Sequence, residues 1–236
     1  MFCISGIASQ KGDAMKANNN KLIKDLLAAG VKLAQQGIVI GPGGNLSVRT
    51  GNTIFIKKSG ACMEDGKKDA YIEIDLHSRK VVCGEGRSSC ETPMHTACYK
   101  AKPEIKCVMH THGPYSVAYS MQKKPLKFFF PDHIAVIGSE VPVLGFEYPS
   151  SEKLADKVVK ALEKHNAVIL ENHGLITIGE NVDEAYYRTL MVEMIIKTTF
   201  IAKAFGGIKL LSHERVETMD GSDEGSYRRE AVKKRK

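Results

Sequence analysis

The chain has 236 residues, of which 43% are hydrophobic and 26% charged, a composition that excludes extended disorder and permits a core without disulfide support. Its formal net charge is +7, but the last nine residues, with six basic and one acidic side chain, carry +5; the remaining +2 does not favour a nucleic-acid-binding protein. No hydrophobic run approaches the ~18 residues of a membrane-spanning helix, and no secretory signal is recognised, so we expect a cytoplasmic protein with reduced cysteines.

The first predicted element is an amphipathic helix over residues 20–36, where apolar side chains recur at helical spacing. A glycine-rich turn at 41–44 separates this helix from three runs that are rich in β-branched residues. These runs are typical of strands, and they cover 46–49, 53–57 and 71–75. A further helix is predicted over 91–101, with Pro93 in its first turn, where proline is tolerated.

The second half of the chain continues with strands and helices in irregular alternation. Strands are predicted at 105–111, 167–171 and 175–178, and helices at 115–121, 151–164 and 182–205. This order indicates one α/β domain, in which helices cover a mixed or mainly antiparallel sheet. The charged end of the chain has few apolar residues, and we expect it to be loose in the isolated subunit.

Two histidines stand two positions apart in the sequence His110-Thr111-His112, at the end of a predicted strand. Residues i and i+2 of a strand face the same side, so the two imidazoles can converge on one metal ion. His173 lies at the turn between two strands and offers a third nitrogen, and three protein ligands with one open position are typical of a catalytic metal site. The alternatives are solvent-facing histidines on the strand and a hydrogen-bonded turn histidine, with Gly174 supplying a positive φ.

The start of the helix over 91–101 has two interpretations. Ser88 and Glu91 have the spacing of a capping box, which would be a purely structural feature. The same free N–H groups suit a phosphate, and a carboxylate such as Glu91 can transfer protons beside a metal. His95 follows one turn later, and we expect it to pack or to support a ligand rather than to bind metal.

Two glycine-containing turns are candidate anion sites. The turn at 41–44 is followed by the amide side chain of Asn45, and the turn at 57–60 adds a hydroxyl and an N–H group. Backbone N–H groups in such turns can cradle an anion. Each turn can equally be a simple connection between two elements.

Taken in chain order, these motifs resemble the class II aldolase/adducin family. The resemblance spans residues 20–207 and is carried by GGNLSVR, KSG, SSCETPMH, VMHTHGPYSVAYS and ENHGLITIG. It implies a three-layer α/β/α fold with a central mixed, mainly antiparallel sheet, and a homotetramer with active sites at subunit interfaces. It also implies an N-terminal extension at 1–19, a catalytic domain at 20–211 and a charged C-terminal tail at 212–236.

The resemblance further implies a Zn²⁺ site, for which Mn²⁺ and Co²⁺ are alternatives. Its metal ligands match His110, His112, His173 and Glu91. Its phosphate-binding positions match Gly44, Asn45, Ser59, Gly60, Ser89 and Cys90, the last of which stands where many members have a second serine. Glu91 is also the expected proton-transfer residue, and Asp132 and Tyr227 are the candidates for a second acid or base.

The activity that the resemblance implies is reversible retro-aldol cleavage of a ketose phosphate resembling L-fuculose 1-phosphate, giving dihydroxyacetone phosphate and an aldehyde. A divalent cation with an open position can stabilise the charge that develops when a carbon–carbon bond next to a carbonyl breaks. The same site fits a pentulose-5-phosphate 4-epimerase, a methylthioribulose-1-phosphate dehydratase or a keto-acid phosphate decarboxylase. A non-enzymatic, adducin-like interaction module is a further alternative, which the three histidines and Glu91 argue against.

Overall fold

The computed structural model describes residues 4–127 and 131–234. The helices of this part of the chain are α1 (Ile4–Gln35), α2 (Thr92–Ala101), α3 (Pro114–Ser120), α4 (Pro131–Ile137), α5 (Glu152–Leu162), α6 (Val182–Ala204), α7 (His213–Asp220) and α8 (Asp223–Lys233). The strands are β1 (Asn45–Thr50), β2 (Thr53–Lys57), β3 (Tyr71–Asp75), β4 (Val81–Cys83), β5 (Cys107–Thr111), β6 (Leu126–Lys127), β7 (Glu140–Val141), β8 (Val143–Leu144), β9 (Ala167–Leu170) and β10 (Gly174–Gly179).

A central sheet organises the molecule. Eight strands form it in the order β4-β3-β2-β1-β5-β10-β9-β8. Neighbouring strands run antiparallel, except that β8 and β9 are parallel. The short strands β6 and β7 pair separately in a two-stranded ribbon. The sheet is therefore mixed and mainly antiparallel, as the sequence predicts.

Helices cover both faces of this sheet because its central strands are buried on both sides. Helices α2 and α5 pack on one face, where they contact side chains such as Ile56 and Val108. Helices α1 and α6 pack on the other face, against side chains such as Val48 and Met109, and α4 extends the same layer. The predicted three-layer α/β/α fold is confirmed.

Strand β5 lies in the middle of the sheet and positions the candidate site. Its residue His110 pairs with Asn45 of β1 on one side and with Ile176 of β10 on the other. Directly paired residues of antiparallel strands point to the same face. His110 and Asn45 therefore share the face of the sheet that α2 covers.

The two ends of the chain differ from the predicted organisation. Helix α1 runs continuously from Ile4 to Gln35, so no break in structure marks the predicted boundary between residues 19 and 20. The C-terminal residues form α7 and α8 rather than a loose tail, with the Val216 side chain buried. Two contacts fasten α8 to the start of α6, because Lys233 accepts a hydrogen bond from Asn181 at 3.0 Å and pairs with Glu180 at 2.7 Å. The division into three segments stays a prediction.

Within the ranges that the structure describes, no helix combines the length and hydrophobicity that crossing a bilayer requires. The five cysteines described there all carry free thiols.

Candidate active site

Three imidazoles meet at the end of β5. His110 belongs to the strand, His112 follows its last residue, and His173 comes from the turn between β9 and β10. Their ligand nitrogens all lie within 4.8 Å of one another, and the Nε2 atoms of His110 and His112 are 2.8 Å apart. The structure thus brings together the three histidines that the sequence singles out.

The protonation of these rings suits metal ligation. The Nδ1–H group of His110 donates to the backbone oxygen of Leu175 at 3.1 Å, which orients the ring with Nε2 towards the His112 ring and Glu91. Burial, as the largest effect, lowers the pKa values of His112 and His173 to about 4. Both rings are therefore neutral at neutral pH, the state in which an imidazole binds metal.

Glu91 completes the cluster from α2. Its Oε2 lies 2.9 Å from Nε2 of His110, and its Oε1 lies 3.5 Å from Nε2 of His173. Burial alone would raise the pKa of Glu91, but the His110 imidazole, followed by His173 and His95, outweighs burial and lowers it to about 2. Three imidazoles and an ionised carboxylate form a donor set that fits Zn²⁺ and similar divalent cations.

The start of α2 does not form the predicted capping box. Glu91 is the N-cap residue, and its side chain makes no capping hydrogen bond, because it turns towards the histidines instead. The Ser89 hydroxyl accepts the backbone N–H of Glu91 at 3.2 Å, while Ser88 bridges to Lys58. The capping-box interpretation is therefore wrong, and Glu91 is available for chemistry.

The turn that carries His173 depends on two neighbouring residues. The positive φ that we considered for Gly174 is found at Asn172, where φ is 52°. Gly174 is required for a different reason, since a Cβ atom there would lie 2.3 Å from the Thr111 oxygen and 2.9 Å from the His112 ring. The absence of a side chain lets β10 and its turn approach the end of β5.

The three candidate anion-binding segments are tied together by backbone and side-chain hydrogen bonds. The Lys57 ammonium is buried and donates to the oxygens of Pro42 at 2.8 Å and Ala61 at 2.5 Å. Burial lowers the pKa of Lys57, and no carboxylate in the described residues pairs with it. The backbone N–H of Ser89 donates to the backbone oxygen of Lys57 at 3.1 Å, so the segment before α2 is also connected to Lys57.

The predicted phosphate-binding positions lie in these segments. Gly44 has a φ of 62°, and a Cβ there would lie 2.8 Å from the His110 oxygen, so glycine is needed at this close approach. Asn45 and Ser89 are buried beside the cluster, whereas Ser59, Gly60 and Cys90 are exposed. The arrangement offers hydroxyl and N–H donors next to the histidines, as an anion requires.

Asp132 and Tyr227 lie on helices that contact each other rather than on the segments around the histidines. Asp132 is in the first turn of α4 and forms an ion pair with Arg228 of α8. Tyr227, also on α8, is 70% exposed. Neither side chain is among the groups that meet around the cluster within one subunit. Their role as a second acid or base stays a prediction.

Sequence reasoning missed two polar side chains that support the site, the Lys57 ammonium and Glu193 of α6. The Glu193 carboxylate accepts the N–H groups of Tyr115 and Ser116 at 3.1 and 2.9 Å. His95, which the sequence predicts to pack or to support a ligand, has a fully buried ring. An available signal for Glu193 was an acidic residue inside an apolar stretch of a predicted helix. For His95 and Lys57 the partners are distant in sequence, and no local pattern identifies them.

Comparisons with known proteins agree with this geometry. The family model described as Class II Aldolase and Adducin N-terminal domain matches residues 24–200. An L-fuculose phosphate aldolase from Methanococcus maripaludis (strain C7) is 31% identical over 163 residues, which cover 69% of this chain and 87% of that protein. A methylthioribulose-1-phosphate dehydratase from Pseudoalteromonas translucida (strain TAC 125) is 24% identical over 210 residues, covering 84% and 99%.

A solved structure agrees as well. One titled L-fuculose 1-phosphate aldolase has a TM-score of 0.76 and 30% identity, and the match covers 85% of this chain and 94% of that one. The family match spans most of the chain and includes the strand with His110, the turn with His173 and the helix start with Glu91. This chain belongs to the class II aldolase/adducin family.

Proposed function

We propose that this protein is a zinc-dependent sugar-phosphate aldolase. It would reversibly cleave a ketose phosphate of the L-fuculose 1-phosphate type to dihydroxyacetone phosphate and an aldehyde. The observation that carries this proposal is the convergence of three imidazoles beside an ionised carboxylate in a member of this family. The L-fuculose phosphate aldolases among the relatives support the substrate class.

His110, His112 and His173 would hold the cation, with Glu91 within reach of the same position. When bound, the cation supplies Lewis-acid stabilisation of the negative charge that develops at the substrate oxygens as the carbon–carbon bond forms or breaks. Mn²⁺ and Co²⁺ are the alternatives to Zn²⁺, because imidazole and carboxylate ligands accept them too.

Glu91 is the proposed proton-transfer residue. In the direction of synthesis, its carboxylate removes a proton from the carbon next to the carbonyl of dihydroxyacetone phosphate. The electron pair that is released forms the new bond to the aldehyde carbon, and the aldehyde oxygen receives a proton from a second acid. Cleavage is the reverse of these steps. Asp132 and Tyr227 remain the candidates for the second acid.

The substrate phosphate is proposed to bind at the turns around Lys57. Gly44, Asn45, Ser59, Gly60 and Ser89 would contribute N–H, amide and hydroxyl donors, and the Cys90 thiol would take the place of a further hydroxyl. The buried ammonium of Lys57 adds positive charge beneath these turns. Positive charge and convergent donors are what a phosphate dianion requires.

We also propose a homotetramer with active sites at subunit interfaces. Large apolar side chains are exposed on the last turns of α6 and directly after it, among them Phe200 at 71% and Phe205 at 86%. Ile40 is 78% exposed and lies in the turn that precedes Gly44, where its backbone oxygen accepts the N–H group of Gly43. Contiguous exposed apolar surface is typical of a protein interface. Light scattering of the purified protein measures the assembly. The cytoplasmic location stays a proposal.

Metal analysis and a panel of ketose phosphates test the proposed function. The native protein should contain a divalent cation and release dihydroxyacetone phosphate from at least one ketose 1-phosphate. Replacing His110 by alanine (His110→Ala) should remove both metal and activity, whereas His77→Ala, at an exposed histidine, should change neither. A protein without metal, and without turnover when Zn²⁺, Co²⁺ or Mn²⁺ is added, would contradict the proposal.

The products distinguish the remaining alternatives. The dehydratase relative favours methylthioribulose 1-phosphate as a panel member, since its dehydration releases water and no aldehyde. Pentulose 5-phosphates and keto-acid phosphates test for epimerase and decarboxylase activity on the same site. An adducin-like interaction module would lack turnover on all of these substrates.

A further inference from the structure

Helix α2 carries a row of buried polar side chains that face the sheet. Glu91, His95 and Tyr99 follow one another at four-residue spacing, so they lie on the same side of the helix. Each is almost completely buried. Glu91 contacts the histidine cluster, and the other two side chains contact strand β1. Polar groups at such positions need partners, and β1 supplies them.

The hydrogen bonds between α2 and β1 form a connected series, in which the donor and acceptor of each bond can be assigned. The Tyr99 hydroxyl donates to the backbone oxygen of Ser47 at 2.8 Å. The Ser47 hydroxyl lies 2.7 Å from Nδ1 of His95, and Nε2 of His95 lies 2.6 Å from Oδ1 of Asn45. An amide oxygen only accepts, so Nε2 of His95 carries the proton and donates it. Nδ1 then accepts the Ser47 hydroxyl.

This series of hydrogen bonds ends at the Asn45 carboxamide, beside the candidate metal site. Asn45 is paired with His110 across the sheet, on the face that α2 covers. With Oδ1 directed at His95, the NH₂ group of Asn45 points the other way. No described residue accepts a hydrogen bond from this NH₂ group. The nitrogen is not completely buried either, so solvent or a ligand can reach it. It therefore has two free donors next to the cluster.

We propose that His95 is a positioning residue, whose Nε2–H group holds the Asn45 carboxamide with its NH₂ group towards the substrate's phosphate. Without this donor, the carboxamide can rotate and present its oxygen, which repels an anion. The inference rests on the proposed function in taking the substrate to be phosphorylated. His95 itself touches neither the histidine cluster nor the accessible space.

Binding of inorganic phosphate to the zinc-loaded protein, measured by calorimetry, tests the proposal. The variant His95→Leu should weaken phosphate binding by about 3- to 10-fold, the equivalent of one lost neutral hydrogen bond, while zinc content stays at the native level. The variant His95→Gln keeps a donor near the Nε2 position and should bind phosphate within about twofold of the native protein. The matched control Tyr99→Phe removes a hydroxyl of the same network that does not touch Asn45, and it should also stay within about twofold.

A double-mutant cycle separates positioning from general stability. In an Asn45→Ala background, His95→Leu should cause no further loss of phosphate affinity, because the group that it orients is gone. The inference would be overturned if the losses of phosphate affinity were additive, or if His95→Gln bound phosphate as weakly as His95→Leu. With a ketose phosphate as substrate, the loss should appear mainly in KM, since Glu91 is unchanged.

The tautomer of His95 gives a readout on the native protein that needs no variant. Nitrogen-15 NMR of the imidazole should show a proton on Nε2 and none on Nδ1 at neutral pH. The opposite tautomer overturns the proposal, even if every variant fails to fold. Native protein that binds no phosphate overturns it as well. A different result would reject the proposed function and leave this inference standing: phosphate binding that depends on His95 only through Asn45, with no cleavage of any ketose phosphate.

Discussion

Single residues set the distances within the histidine cluster. The turn after β9 is held by Asn172, whose left-handed backbone lets its N–H donate to the Ser120 hydroxyl at 3.0 Å. This places His173 over the end of β5, and Gly174 then passes directly against Thr111. The cluster therefore depends on the contact between Gly174 and Thr111, which are 63 residues apart in the sequence, so one added carbon at Gly174 affects the proposed metal ligands.

The variant Gly174→Ala tests this dependence. Its methyl group would overlap the Thr111 oxygen and the His112 ring, so β10 must move away from β5. We expect a loss of about 1–3 kcal/mol in the free energy of unfolding, together with weaker zinc binding. Urea unfolding and zinc titration measure the two effects. Gly145→Ala is the matched control, because the nearest atom to its Cβ is 3.8 Å away. Equal behaviour of both variants would show that the close approach is unimportant.

The spacing of His110 and His112 predicts their shared face, because side chains of a strand alternate with a period of two. The sequence does not reveal the reason for Gly174, since a close approach depends on a strand that is distant in the chain. The same holds for His95: its helix position is predictable, but its bonds to Asn45 and Ser47 follow from the packing of α2 on β1.

Among the elements, helix α3 shows how a neighbouring helix supports the site. It starts at Pro114, immediately after His112 and Gly113, and the Glu193 carboxylate of α6 accepts the N–H groups of Tyr115 and Ser116. A carboxylate at a helix N-terminus also interacts favourably with the helix dipole. Helix α6 therefore fixes the direction in which the backbone leaves the segment that carries His110 and His112.

We expect Glu193→Gln to destabilise the protein by about 1–3 kcal/mol, because an amide can accept one of the two N–H groups but opposes the other. Zinc affinity should fall as well, since the segment after His112 is no longer fixed. Denaturant unfolding and zinc titration check both expectations. Glu217→Gln on exposed α7 should change stability by less than about 0.5 kcal/mol. Native zinc affinity in Glu193→Gln would contradict the supporting role of α6.

Helices and strands are predicted correctly where the patterned segment is long, and they are missed where it is only two or three residues long. The helix over 182–205 and the strands at 53–57 and 71–75 have patterns long enough to define them. Strand β4 and the ribbon of β6 and β7 have two or three residues each, too few for a pattern to appear. The sequence predicts a loose tail where α7 and α8 form, because the segment has few apolar residues. The structure differs because Val216 packs in one apolar cluster with α4 and α6, and charged pairs add further contacts.

For the whole molecule, three histidines with lowered pKa values, the buried His95, the half-buried His173 and the more exposed His112, make stability depend on pH. Burial lowers the pKa of His95 to about 3, and those of His112 and His173 to about 4. An unfolded chain restores each to about 6.5. Between these values the unfolded state binds more protons than the folded state, so acid favours unfolding. The stability is fully present above pH 6.5 and is lost as the pH falls towards 4.

Urea unfolding of the metal-free protein should therefore show a steadily falling free energy of unfolding between pH 6.5 and 4. His95 and His173 each contribute up to about 1.4 kcal/mol per pH unit in this range, and His112 contributes less because solvent screens its exposed ring. In His95→Gln the slope should be smaller by about one such contribution, whatever the variant's stability at pH 8. A native slope in this variant would mean that the His95 ring is protonated in the folded protein.

The Lys57 ammonium has a consequence for the choice of substrate. By donating to the oxygens of Pro42 and Ala61, it joins two loops at one buried point. If the substrate phosphate binds at these loops, as proposed, the accepted sugars share one phosphate position and differ only away from it. Substitutions intended to admit new sugars then belong outside the two joined loops.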